Sequence, residues 1–283
     1  MSPGQERLRG WGFVAPALLW TLAFFVAPLA VMGAMSLATL EGRTLVWGLS
    51  VANYAELAEK AYLWRAVVVS LEITLTVTLV SVLLAYPLAW IIAFRVPRRW
   101  QRLALLLAIL PFWTSYVVRS YAWLLVLGRE GVVNQSLVGL GLIAEPLALA
   151  NTRFATVTGF VHFFVMLLTL TIYANLVQLS PNYRRAAADL GANGFQTFRH
   201  VILPLTLPGV VTGAFLTFVL CIGDYVTPQI LGGNTELTVP QVIMVQLGRR
   251  ADFPLASALA LVLMALVTLA YLGCARWLRL DRI

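Results

Sequence analysis

Residues 180–208 read SPNYRRAAADLGANGFQTFRHVILPLTLP, and the reading of this stretch decides the fold. It is the longest polar-rich interruption with helix signals in a chain that is otherwise strongly apolar. Ser180 suits a helix N-cap and Pro181 the first helical position, where a missing N–H costs nothing. Ala186, Ala187 and Ala188 favour helix and leave a bare surface that another protein can approach closely. Gly191 permits a left-handed turn that residues with a Cβ resist. Asn193 then caps a second short helix carrying Phe195, Phe198, Val201 and Ile202. Pro204 and Pro208 mark the return to an apolar segment. The expectation is a helix–turn–helix lying across a membrane surface.

The rest of the chain supplies that membrane. Of 283 residues, 60% are hydrophobic and 11% charged, and mean hydropathy is +0.86. A soluble domain carries roughly a quarter charged residues, so these values mark an integral membrane protein. Apolar runs at about 11–37, 64–94, 103–127, 153–177, 207–231 and 255–277 give six transmembrane helices in one domain, 1–283. The first run is too long for the apolar core of a signal peptide and lacks a clear cleavage site. Pro16 and Pro28 are expected to bend it. The second run exceeds the ~30 Å hydrocarbon core, so it must tilt or protrude. External segments fall at 38–63, 128–152 and 232–254, the first with a short helix expected over Tyr54–Tyr62.

Charge sets the orientation. If both termini and the 95–102 and 180–206 loops share one side, that side holds twelve arginines: Arg7, Arg9, Arg95, Arg98, Arg99, Arg102, Arg184, Arg185, Arg199, Arg276, Arg279 and Arg282. The other side holds Arg43, Lys60, Arg65, Arg129, Arg153, Arg249 and Arg250. The positive-inside rule makes the first side cytoplasmic. Acids run the other way, with Glu6, Asp189 and Asp281 inside. The basic surplus, pI near 10.0, is therefore topological, and nucleic acid is not an expected partner.

No phosphate-cradling G-x-x-x-x-G-K-[ST] loop, H-E-x-x-H helix or Cys/His cluster is present. Cys221 and Cys274 lie in apolar runs and read as packing residues. His162 and His200 read as local hydrogen-bonding residues. No cofactor or metal is expected. Secondary transporters, membrane enzymes and channel-like oligomers are rival classes. The first needs no docking loop and often shows inverted repeats, the second needs catalytic residues, and co-purification with an ATPase separates all three from the reading that follows.

The 180–208 stretch resembles the EAA loop of ABC importer permeases, whose pattern is Glu-Ala-Ala, three residues, Gly, nine residues, then Ile-x-Leu-Pro. Here Ala186-Ala187 precede Ala188-Asp189-Leu190 and Gly191, and Val201-Ile202-Leu203-Pro204 follow nine residues later. Arg185 stands where the family usually has Glu. Three further stretches are similar to the first permease of spermidine/putrescine importers: Leu110–Thr114 with Arg119-Ser120-Tyr121, Asn53-Tyr54, and Gly223–Pro228 with Leu231-Gly232-Gly233. The resemblance implies the type I ABC importer permease fold, all-α, with six spans and a cytoplasmic coupling-helix loop. It also implies a second permease subunit, an ATP-binding cassette ATPase dimer and a periplasmic solute-binding protein as partners, with ATP hydrolysed on the ATPase. The solute it implies is a polyamine, with opines, aminoethylphosphonate, thiamine and ferric iron as alternatives in related permeases. ATPase coupling would fall to Arg185, Ala186, Ala187, Asp189, Gly191, Leu203 and Pro204.

Three charges fall inside the expected spans: Glu72, Arg119 and Asp224. Such residues are costly in lipid and should face protein or a water-filled cavity. At ~1.5 Å per residue, Arg119 and Asp224 lie about 24 and 26 Å above the cytoplasmic ends of their spans, and Glu72 about 33 Å along its own. One reading pairs Arg119 with an acid; the other leaves an acid, Asp224 beside Tyr225, to receive a small cationic amine. Trp113 and Tyr116 are candidates for lining the pathway, by cation–π contact or as interface anchors. Gly209 and Gly213 form a small-xxx-small pair that fits either sliding or ordinary helix packing.

Overall fold

The computed structural model describes residues 3–42, 44–233 and 236–278, with the side chains of residues 3–10 and 276–278 also left undescribed. The side chains of the topological charges Arg7, Arg9, Arg43, Arg276, Arg279, Arg282, Glu6 and Asp281 are thus outside the described ones. The helices are α1 (Pro3–Thr21), α2 (Ala27–Ser36), α3 (Ala52–Glu59), α4 (Ala61–Phe94), α5 (Arg98–Ile109), α6 (Tyr116–Leu127) and α7 (Val132–Gly139). They continue with α8 (Arg153–Gln178), α9 (Pro181–Asp189), α10 (Gly194–Thr197), α11 (Leu203–Ile222), α12 (Val226–Leu231), α13 (Val239–Val245) and α14 (Phe253–Leu278). The only strands among the described residues, β1 (Thr39–Glu41) and β2 (Thr44–Val46), form an antiparallel hairpin. Five helical stretches are long and apolar enough to cross a membrane, and a sixth forms if a pair bent by 90° counts as one span.

That bent pair is the third expected span. It does not run straight from 103 to 127. α5 ends in a tight turn over Leu110–Trp113, and α6 begins at Tyr116. Pro111 cannot donate to the helical ladder, and Thr114 and Ser115 are extended, so the chain turns there.

Pro28, expected to bend the first span, and Pro204, expected to mark the return to an apolar segment, both lie within continuous helix. π turns at Leu22–Val26 and Phe198–Ile202 each end two residues before a proline, Pro28 and Pro204. The wider turn makes room for the proline ring against the carbonyl four residues back. Consequently the first span runs unbroken from Trp11 to Ser36, and α10, the π turn and α11 form one 29-residue helix, Gly194–Ile222. Pro204 and Pro208, where the return to an apolar segment was expected, thus lie inside this continuous helix.

The chain divides into two compact units. In the unit made of residues 1–64 and 242–265, buried Asn53 donates to the carbonyls of Ser36 (2.8 Å) and Ala38 (2.7 Å), and the Tyr54 hydroxyl reaches Ser36 Oγ. These bonds fix the turn that leaves α2. In the unit made of residues 65–241 and 266–283, α4, α8 and α11 pack together. One cluster joins Ala85, Tyr86 and Ala89 to Leu168, Ile172, Leu176, Ile202 and Val210. A second joins Val69, Ile73 and Val77 to Phe160, Phe164 and Cys221. Lipid tails are as apolar as leucine, so close backbone approach drives this packing rather than expulsion from water. Gly209 lies against Asn175, and Gly213 against Leu168 and Thr171. A Cβ would fall under 3.0 Å from Asn175 at Gly209 and from Leu168 at Gly213. The small-xxx-small pair therefore seats α11 on α8.

Candidate functional site

The first candidate region is the loop. The Ser180 hydroxyl accepts from the Asn182 amide at 3.3 Å, and Pro181 opens α9. Gly191 stops it with φ +82°, in space where a Cβ would touch nothing, so the constraint is backbone conformation and not crowding. Asn193 and Gln196 form a reciprocal capping box, each bond 2.9 Å, that starts α10. Arg185, Ala186, Ala188 and Asp189 are exposed, Leu203 is half-buried against the α4–α8–α11 core, and Pro204 is exposed. Ala187 differs from expectation. It is 7% exposed and faces the protein, so it seats the loop and is not part of the bare outer surface. On a nine-residue helix, Ala186 and Ala188 necessarily point elsewhere, and they with Leu190, 89% exposed, form the open face.

The second region lies where α6, α8 and α12 meet. The Tyr116 hydroxyl donates to Asp224 Oδ2 and also contacts Thr227 Oγ1. Asp224 accepts in addition from the amides of Val226 (2.8 Å) and Thr227 (3.4 Å), so its carboxylate caps α12 while remaining partly exposed. Arg119 is buried, yet no acid pairs with it among the described residues. Its Nη1 donates to the Pro111 carbonyl at 3.0 Å, and its guanidinium lies 4.8 Å from the Phe163 ring centre and 5.3 Å from that of Tyr116. In place of the ion pair that one reading gave Arg119, it has a carbonyl and two aromatic faces, a combination that holds a cation without an anion.

Glu72 belongs elsewhere. It accepts from Arg153 at 2.6 Å. Arg153 also donates to Glu236 at 2.8 Å, and Glu236 in turn lies 3.5 Å from Arg65. This is an exposed, charge-balanced chain of ion pairs, and it removes Glu72 from the Asp224 site. Arg153 stands at the outer end of the fourth expected span and Glu236 in the last external segment, and nothing local connects either with Glu72. Trp113 is 85% exposed at the bend, and Tyr225 is exposed beside Asp224. Thus Tyr116, Arg119 and Asp224 come together, with Trp113 and Tyr225 at the margin and Glu72 apart. Thr227 and Phe163 complete the cluster. The spacing Asp-x-x-Thr at the start of a helix was a readable capping signal for Thr227, whereas nothing local marked Phe163.

His162 accepts from Trp123 Nε1 at 3.0 Å, and His200 contacts the Gln196 carbonyl at 3.1 Å, so both act as local hydrogen-bonding residues. The described residues contain no group of three His, Cys, Asp or Glu that could hold a metal.

Residues 85–279 match the family described as "Binding-protein-dependent transport system inner membrane component". The chain is 32% identical over 265 residues, 91% of each chain, to the spermidine/putrescine transport system permease protein PotB of Haemophilus influenzae. It is 36% identical over 174 residues, 57% of this chain and 55% of the relative, to the inner membrane ABC transporter permease protein YdcU of Escherichia coli. Its fold matches a chain in the crystal structure of a bacterial alginate ABC transporter in complex with an alginate pentasaccharide-bound periplasmic protein. The TM-score is 0.75 at 16% identity, over 97% of this chain and 96% of that one.

Proposed function

Since the chain belongs to the family of binding-protein-dependent transport system inner membrane components, we propose that it carries a polyamine, spermidine or putrescine, through the membrane as the permease subunit of an ATP-driven importer. Importer permease is the family's role. The solute, the partner set and the orientation are the proposal. The partners are a second permease, two copies of an ATPase and a periplasmic binding protein, and both termini lie in the cytoplasm. The similarity to a spermidine/putrescine permease over 91% of both chains supports the solute, as does the partly exposed Asp224 carboxylate, which suits an ammonium group.

The observation that carries the mechanism is the continuous helix Gly194–Ile222. One end is the capping box of the coupling loop. Two residues past the other end is Asp224. At ~1.5 Å per residue this rod is about 40 Å long. A continuous helix displaced at one end carries the displacement along its length, so closure of an ATPase dimer on α9 would reposition Asp224, α12 and the Tyr116 hydroxyl together. Such body motion around a site is the alternating-access pattern of transporters. In the outward state the Asp224 carboxylate meets the amine delivered by the binding protein; in the inward state the rearranged cluster releases it.

The test is reconstitution. Liposomes holding this chain with its second permease and ATPase, given the binding protein outside and ATP inside, should accumulate labelled spermidine. The chain alone should neither hydrolyse ATP nor accumulate solute. ATP hydrolysis by the purified single chain would end this reading.

A further inference from the structure

We propose that the groove between the end of α4 and the coupling loop binds an anionic phospholipid, with its phosphate on Arg95, Arg184 and Arg185 and the start of an acyl chain along Pro87 and Trp90. The groove measures about 870 Å³, and these residues line it together with Phe195 and Phe198. No acidic residue lines it, and none of the three arginines pairs with an acid among the described residues. Arg184 lies 4.8 Å above the Phe94 ring, and the Trp90 and Phe198 rings meet edge to face at 5.3 Å. The wall is thus cationic at one end and aromatic and apolar at the other, the profile of an amphiphile with an anionic head. Asp189 is on α9 but outside the groove.

Length selects the occupant. From Pro87 to the end of α4, beside Arg95, is seven residues, about 10 Å at ~1.5 Å per residue. A free phosphate reaches only the arginines and gains nothing from the aromatic wall, whereas a phospholipid spans both. The proposal rests on the cytoplasmic placement of the 180–206 loop, where basic residues attract anionic headgroups at ~1 kcal/mol each.

The experiment uses the assembled transporter in nanodiscs of phosphatidylglycerol mixed with phosphatidylcholine, followed by native mass spectrometry. Wild type should retain phosphatidylglycerol. Arg95→Gln and Arg184→Gln should each weaken retention about fivefold, the factor equivalent to ~1 kcal/mol. Lysine at either position should keep most of it, and Arg129→Gln, an arginine outside the groove, should change nothing. Equal retention by wild type and the Arg95→Gln/Arg184→Gln double variant would overturn the proposal. So would a benzophenone amino acid in place of Pro87 that captures a helix of the second permease and no lipid. Release of the lipid by excess inorganic phosphate would also overturn it, in favour of a small-anion site. Lost lipid with the ATPase still bound leaves the coupling reading intact. A variant that loses the ATPase while retaining the lipid would overturn the proposal and place these arginines at the ATPase contact, leaving the coupling reading intact.

Discussion

Arg119 donates to the carbonyl of Pro111 at 3.0 Å, a bond that ties the two halves of the bent third span together. The Thr114 amide and hydroxyl reach the same carbonyl, at 3.3 and 2.7 Å. The bend is thus held from both sides, and the buried charge has a structural task. Arg119→Lys keeps the charge but loses the planar group that stacks on Phe163 and reaches Pro111. The expected outcome is a thermal midpoint lowered by the equivalent of about 1–3 kcal/mol, with the KM for solute unchanged. A raised KM at unaltered thermal stability would instead put Arg119 in contact with solute.

Asp224→Asn separates charge from capping. Asparagine caps helices about as well as aspartate, so α12 should stay in place and the complex should assemble. The negative charge and one acceptor oxygen are lost, with the Tyr116 hydroxyl free to accept from the new amide, and uptake of a cationic solute should fall about tenfold or more, the equivalent of ~1.4 kcal/mol. Unchanged uptake would remove Asp224 from the pathway, and loss of the assembled complex would make it a structural residue only.

The loop variants act by different routes. Gly191→Val forces a branched residue into a left-handed conformation at a cost of about 1–2 kcal/mol and should uncouple ATP hydrolysis from transport. Ala187→Glu buries a charge under α9 and should expose the loop to protease. Ala186→Glu, on the open face, should leave the loop folded and weaken ATPase co-purification alone. Identical behaviour of the two alanine variants would contradict the inward placement of Ala187.

Glu72→Gln tests the separation of Glu72 from the solute site. Its partner Arg153 keeps Glu236, and exposed ion pairs contribute about 0–1 kcal/mol. Uptake and thermal midpoint should therefore stay close to wild type. A loss of uptake comparable with that of Asp224→Asn would return Glu72 to the pathway.

The sequence made the loop legible because its signals are local. Ser180, Pro181, Gly191 and Asn193 act through their own backbone, and each occupies the place its chemistry requires. Which face of α9 turns inward was not legible, since Ala186, Ala187 and Ala188 are chemically alike and only packing distinguishes them. The π turns before Pro28 and Pro204 were not legible, since the surrounding helix decides whether a wider turn accommodates a proline. The partners of Glu72 and Arg119 were hidden for the same reason. Arg153 is 81 positions from Glu72 in the chain, and the aromatic faces over Arg119 come partly from α8.

The account stands most directly on ATP-driven uptake of labelled spermidine by liposomes containing this chain with its second permease, ATPase and binding protein, run beside the Asp224→Asn variant. It predicts accumulation that requires internal ATP and collapses in the variant while ATPase binding persists. Failure of the complete wild-type assembly to accumulate spermidine or putrescine, while it accumulates an anionic or neutral solute, would contradict it.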